Sequence, residues 1–133
     1  MTEIKVYQYL YDWLKSLDLG VIFFNQLNMD STNKKGLDRF VEIYIPRGII
    51  DKGAFKTADA TIVFGVRDKV KGLPRMNVFD EMVQKLKTQF PYTKDGYFFS
   101  NFEYDSIEFD GMENHFVYYN FTVIVNGETT TFN

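Results

Sequence analysis

Glu103 and Asp105 alternate along an aromatic, β-rich stretch. In an extended strand two such residues share a face roughly 7 Å apart, a separation suited to paired-carboxylate catalysis. The same acids serve an exposed sheet edge equally well, where charge discourages a second chain from pairing. No His, Cys or Arg nearby in sequence supports either carboxylate. His115, the single histidine, begins a strand beside Glu113 and Asn114, where a lone imidazole is more often a turn or edge residue than a base. Asp110-Gly111-Met112-Glu113 lacks the ligand spacing of a calcium loop. Phosphate-cradling glycine patterns, a nucleophile elbow and a two-histidine zinc motif are absent, and a chain with no Cys has no thiolate nucleophile and no Cys-bearing zinc site. No catalytic residue, metal or cofactor is expected, and the chain reads as a non-enzyme.

The elements that would position these groups follow from periodicity. Thr2 is placed to cap a helix in which Ile4, Tyr7, Leu10, Tyr11, Leu14 and Leu17 recur at three- and four-residue steps, ending near Asp18 to Gly20. Val21 to Leu27 reads as a strand and Asn28 to Gly36 as a loop. Arg39 to Ile45 alternates most clearly, with Val41, Ile43 and Ile45 facing one way. Ala60 to Arg67 is its expected partner, with Ile62, Phe64 and Val66 inward and Gly65 thinning the opposite face. Asn77 is the expected cap of a second helix, striped by Val78, Phe79, Met82, Val83, Leu86 and Phe90 and stopped by Pro91.

Tyr97 to Phe109 slips its alternation, which predicts a bulge or break near Asp105 to Ser106. His115 to Val125 is apolar on both parities and reads as a central strand. Asn126-Gly127 is a hairpin signal that would fold Glu128 to Phe132 back as a short last strand. The order α-β-β-β-α-β-β predicts an α+β fold, a mostly antiparallel sheet with two helices packed on one face, in a single domain over residues 1–133.

Aromatic residues make up 18% of the 133, a share that favours strands and contact surfaces. No apolar run is long enough for a membrane span, and the N-terminus lacks the apolar core of a signal peptide. The net charge of -3 is unevenly divided: residues 34–75 carry ten Lys/Arg against five Asp/Glu, and residues 76–133 carry three Lys against nine Asp/Glu. Loop solvation accounts for such a division, as does a meeting of basic and acidic surfaces, within one molecule or between copies. The acidic total argues against direct nucleic-acid binding.

The connector at about 46–59 carries Pro46, two Gly and alternating charges, as a solvated loop should, yet it also holds Ile49, Ile50 and Phe55. These three either tuck under the sheet or form a patch that monomers avoid. A projecting arm with Arg47, Lys52 and Lys56 around it would suit the acidic, aromatic strand region Tyr97 to Glu113 of an identical copy, a head-to-tail contact that closes into a ring when the rotation allows.

The stretch "ATIVFGVRDK...NVFDEMVQKLKTQF", Ala60 to Phe90, after an N-terminal helix and a long-looped hairpin and before a β-meander, resembles the tail-terminator and head-to-tail joining proteins of tailed bacteriophages. The resemblance lies in element order over nearly the whole chain and has no signature residues to transfer. It implies a non-enzymatic virion protein assembled in the bacterial host cytoplasm, forming a closed ring, a hexamer or larger. Such a ring stacks on portal, neck or tail proteins around a DNA channel, with no membrane involved. Together these readings make Ile49, Ile50 and Phe55 apolar anchors, Arg47, Lys52 and Lys56 steering charges, and Glu103, Asp105 and Glu108 their recipients. The alternatives are an acidic protein-binding module such as a toxin-immunity protein and a small α+β enzyme using Glu103, Asp105 or His115.

Overall fold

A computed structural model describes residues 2–24 and 36–126. Helix α1, Glu3–Lys15, starts as its sequence dictates, with the Thr2 hydroxyl accepting from the Lys5 N–H at 3.3 Å. Its buried face is rotated from the expected stripe: Val6, Leu10, Trp13 and Leu14 point inward, while Ile4 is 78% exposed. The helix is apolar on so many positions that two stripes are available, and the sheet takes the one carrying Trp13.

The strands are β1, Val21–Phe24; β2, Arg39–Tyr44; β3, Ile50–Asp51; and β4, Lys56–Arg67; then, after helix α2, Met76–Lys87, come β5, Tyr92–Lys94; β6, Tyr97–Phe109; and β7, Asn114–Val125. They form one sheet in the order β1-β2-β4-β7-β6-β5, with β3 beside β4. Among the described residues only the β1–β2 pairing is parallel. The α+β architecture and order stand, with two short strands added. β5 is joined to β6 by Asp95-Gly96, both at positive φ, the conformation a two-residue hairpin turn asks for. The expected loop at 46–59 is not a loop throughout, since β4 begins at Lys56 and pairs back on β3. Leu27, residues 28–35 and the expected strand Glu128 to Phe132 lie outside the described residues.

Helix α2 is preceded by Arg75 as N-cap, with no side-chain hydrogen bond there, so Asn77 sits inside the helix and does not cap it. The inward stripe is as expected: Val78, Phe79, Met82, Val83 and Leu86 are buried. Both helices cover one sheet face, against Val41, Ile43, Ile62, Phe64 and Val66 from β2 and β4 and Phe99, Phe121 and Val123 from β6 and β7. Here the aromatic content finds its place. Trp13 meets Phe99 at 4.7 Å and Phe121 at 5.8 Å, and Phe102 stacks between Phe90 and Tyr119. Among the described residues no helix is long and apolar enough to cross a membrane.

Two bulges in β6, between Ser100 and Glu103 and between Tyr104 and Ser106, keep Phe99, Tyr104 and Ile107 on the helix-covered side. Each inserts a residue and so resets the parity. Phe99 pairs with Val123, Tyr104 with Tyr119 and Ile107 with Val117, all on that side. On the other face a smaller cluster of Phe40, Val63 and Phe116 is built around Gly65. A Cβ there would lie 2.2 Å from Phe40 Cζ, so the ring's seat exists only because the cross-strand partner of Phe40 has no side chain.

Candidate functional site

The connector of the first hairpin is a small, fixed β-arm. Lys52 N–H donates to the Phe55 carbonyl at 2.8 Å, closing a tight turn, and Gly53 N–H donates to Asp51 Oδ1 at 2.8 Å. Ile49 packs, half-buried, against the main core, while Ile50 is 41% and Phe55 38% exposed. The register explains the division. Ile50 pairs with Thr57 and Lys52 with Phe55, which puts Ile50, Lys52 and Phe55 on the sheet's uncovered side.

Asp51 and Lys56 form the pair on the opposite side, towards α1. Lys56 was expected at the rim with Arg47 and Lys52. Its side chain is only 9% exposed, with Nζ 3.0 Å from Asp51 and 3.5 Å from Glu3, so it ties the arm to α1. The Gly53 N–H and then the Lys56 ammonium hold the Asp51 carboxyl below its usual range, and the Asp51 hydrogen bond raises Lys56. Arg47, exposed, lies 3.7 Å from Asp59.

At the diagonally opposite corner runs the distal half of β6. β5 covers only Tyr97 to Phe99, so beyond Phe99 the outer edge of β6 has no strand partner among the described residues. Glu103, Asp105 and Glu108 are all exposed along it. Glu108 accepts from the Tyr118 hydroxyl at 3.3 Å, and burial, followed by the Glu108 charge, pushes Tyr118 up to about 12. From the arm to this edge the sheet steps across β4 and β7, roughly 14 Å, and along the strands by four to eight residues, roughly 13–26 Å. The tip of the arm therefore cannot reach Asp105 or Glu108 of its own subunit, whereas Arg47 at the arm's base shares an open, polar concavity with Glu103, Asp59 and Asn120.

A third feature was not read from the sequence. An apolar groove with a volume of about 290 Å³ runs between the start of α2 and β6, lined by Met76, Phe79, Val83, Tyr104, Ile107 and Tyr119, with Asp80 the one acid there among the described residues. Met76 is 59% and Tyr104 57% exposed at its rim. Tyr104 and Ile107 have opposite parity in the sequence and share this wall because the bulge at Tyr104/Ser106 lies between them. The slipped alternation was the available signal.

The candidate acid–base residues are not assembled into one site. Glu103 pairs with Asn120 across β7, and Asp105 sits in the bulge. His115 lies five residues from Asn120 along the strand, roughly 16 Å away. Its Nδ1 is 2.7 Å from the nearly buried Asp68 carboxylate, whose other oxygen accepts from the Gly72 N–H at 2.9 Å. Phe109 stacks on the imidazole at 4.6 Å. This arrangement pins the loop after β4 to β7. Among the described residues no group of three or more His, Asp or Glu is placed to hold a metal ion.

Compared with protein-family models and with curated proteins, the chain matches none.

Proposed function

We propose that this protein is a non-catalytic structural subunit that assembles head to tail into a ring, as part of the head–tail junction or tail end of a tailed bacteriophage. The observation carrying the reading is the diagonal placement of two complementary surfaces on one rigid sheet. The arm shows apolar Ile50 and Phe55 beside basic Arg47 and Lys52, and the edge of β6 shows Glu103, Asp105 and Glu108. The arm's tip, with Ile50, Lys52 and Phe55, and the distal acids Asp105 and Glu108 complement each other but lie too far apart to meet within one subunit. A contact between copies satisfies that mismatch, and such a heterologous contact closes into a ring when its rotation divides the circle. The arm is held by Lys56 and its own turn, so docking costs little ordering entropy. The station in the virion, the hexameric or larger ring and the stacking on portal, neck or tail proteins rest on the resemblance in element order. DNA would pass through such a ring with at most non-specific contact.

Light scattering on a gel-filtration column over a wide concentration range tests the reading. The wild type should show a mass that rises to a closed multiple of the subunit, and Ile50→Asp with Phe55→Asp should return it to the monomer. A wild type that stays monomeric throughout and does not bind a partner ring would overturn it.

A further inference from the structure

We infer that the groove between α2 and β6 is the socket for the arm of a second copy, taking Phe55 among Met76, Tyr104 and Ile107 and setting Lys52 against Asp80. The inference rests on the ring reading and adds to it the recipient pocket, which is distinct from the acidic edge beside it. Charge and polarity match in pattern as well as in sign. The arm presents apolar side chains with one cation directly across the turn from Phe55, and the groove is apolar with one carboxylate in its lining. At about 290 Å³ the groove is at the small end of sites that enclose a ligand, the scale of a few side chains rather than of a helix.

The groove also answers a question the acidic edge leaves open. Charged rim contacts steer and select, but affinity is concentrated in an apolar anchor seated in a desolvated pocket. Glu103, Asp105 and Glu108 offer no such pocket, whereas Tyr104 and Ile107, interleaved with them on β6, do. Two successive bulges turn Tyr104 and Ile107 towards α2, while Glu103 and Glu108, paired with Asn120 and Phe116, face the uncovered side, so the groove supplies the anchor and Asp80 the charge that an arm seated in it would meet. The arm's exposed side and the groove lie on opposite faces of the sheet, as a contact between two copies allows.

The chain has no cysteine, so single introduced thiols report this contact without background. Phe55→Cys and Tyr104→Cys proteins, mixed and mildly oxidised, should give a covalent dimer that neither forms alone. Phe98→Cys, exposed on the other face, should give none with Tyr104→Cys. In parallel, Lys52→Glu and Asp80→Lys should each weaken assembly about fivefold, the upper end for an exposed ion pair, and the combined variant should restore it. Both sites are exposed, and melting curves confirm that the variants fold. Normal oligomers with no Phe55–Tyr104 link and no charge-swap rescue would overturn the socket and leave the ring standing. Absence of oligomers under every condition would overturn both.

Discussion

Gly65→Ala is the perturbation whose consequence the structure fixes most directly. The new Cβ would lie 2.2, 2.4 and 2.7 Å from three atoms of the Phe40 ring, where carbon atoms need about 3.5–4.0 Å. The ring must therefore move by more than about 1 Å. It is boxed in by Phe23 at 5.6 Å and Phe116 at 5.9 Å, and it is essentially unexposed. Overpacking of this kind costs about 1–3 kcal/mol, and the lower entropy of an unfolded Ala chain offsets about 0.4–1 kcal/mol of it.

A net loss of about 1–2 kcal/mol lowers Tm by about 4–8 °C in a domain of this size. Thermal melts of four proteins (wild type, Gly65→Ala, Phe40→Leu and the double variant) measure it. Leu gives the methyl room, so the double variant should be more stable than the sum of the singles by at least about 1 kcal/mol. A Gly65→Ala protein that melts at or above the wild-type temperature, or strict additivity, would refute the account of this face.

In an alkaline titration followed by phenolate absorbance, Tyr97 and Tyr118 should ionise near pH 12, because burial raises both. A folded-state pKa above the unfolded value of 10 gives stability that is complete below pH 10 and lost as the pH rises towards 12, so unfolding by base should begin in that window. Asp38 accepts from Arg75 Nη1 at 2.7 Å, and this hydrogen bond holds its carboxyl below the usual range. Its contribution is present above the unfolded carboxyl pKa and lost as the pH falls through the folded one. Asp38→Asn should thus lower Tm slightly at pH 7, by less than about 1 kcal/mol of stability for so exposed a pair, and not at all in strong acid. Asp68→Ala should cost about 1–3 kcal/mol in urea unfolding by stranding the buried His115 Nδ1, and, by releasing the exposed Gly72 N–H to water, should speed hydrogen exchange at residues 69–72.

Much of the fold is local in origin and was legible as such. Thr2 capping α1, the inward stripe of α2, the alternation of β2 and β4, and the doubly apolar β7 all depend on residues within one element and on its period. The α1 stripe departs from the expected one because local information is degenerate there: Ile4 and Trp13 both fit a helical face, and only the position of Phe99 and Phe121 selects between them. Asn77 has a good capping side chain, but the chain enters α2 two residues earlier, with Arg75 bound to Asp38. Arg47, Lys52, Glu103, Asp105 and Glu108 stay at the surface as expected, whereas Lys56 reads as a surface charge in sequence because Glu3, one of its two partners, lies 53 positions away.

By itself, then, the sequence determined the two helices and the longer strands, that no thiol chemistry is available, and that residues 34–75 carry a basic surplus and residues 76–133 an acidic one. Those properties follow from residue type and short-range spacing. The tertiary structure alone decided that Ile49 goes inward while Ile50 and Phe55 stay out, that the arm and the acidic edge occupy opposite corners, and that Tyr104 and Ile107 share a wall with Met76. The physical reason is register: which face a residue takes depends on its cross-strand partner and on each bulge before it, and a single inserted residue reverses every side chain that follows.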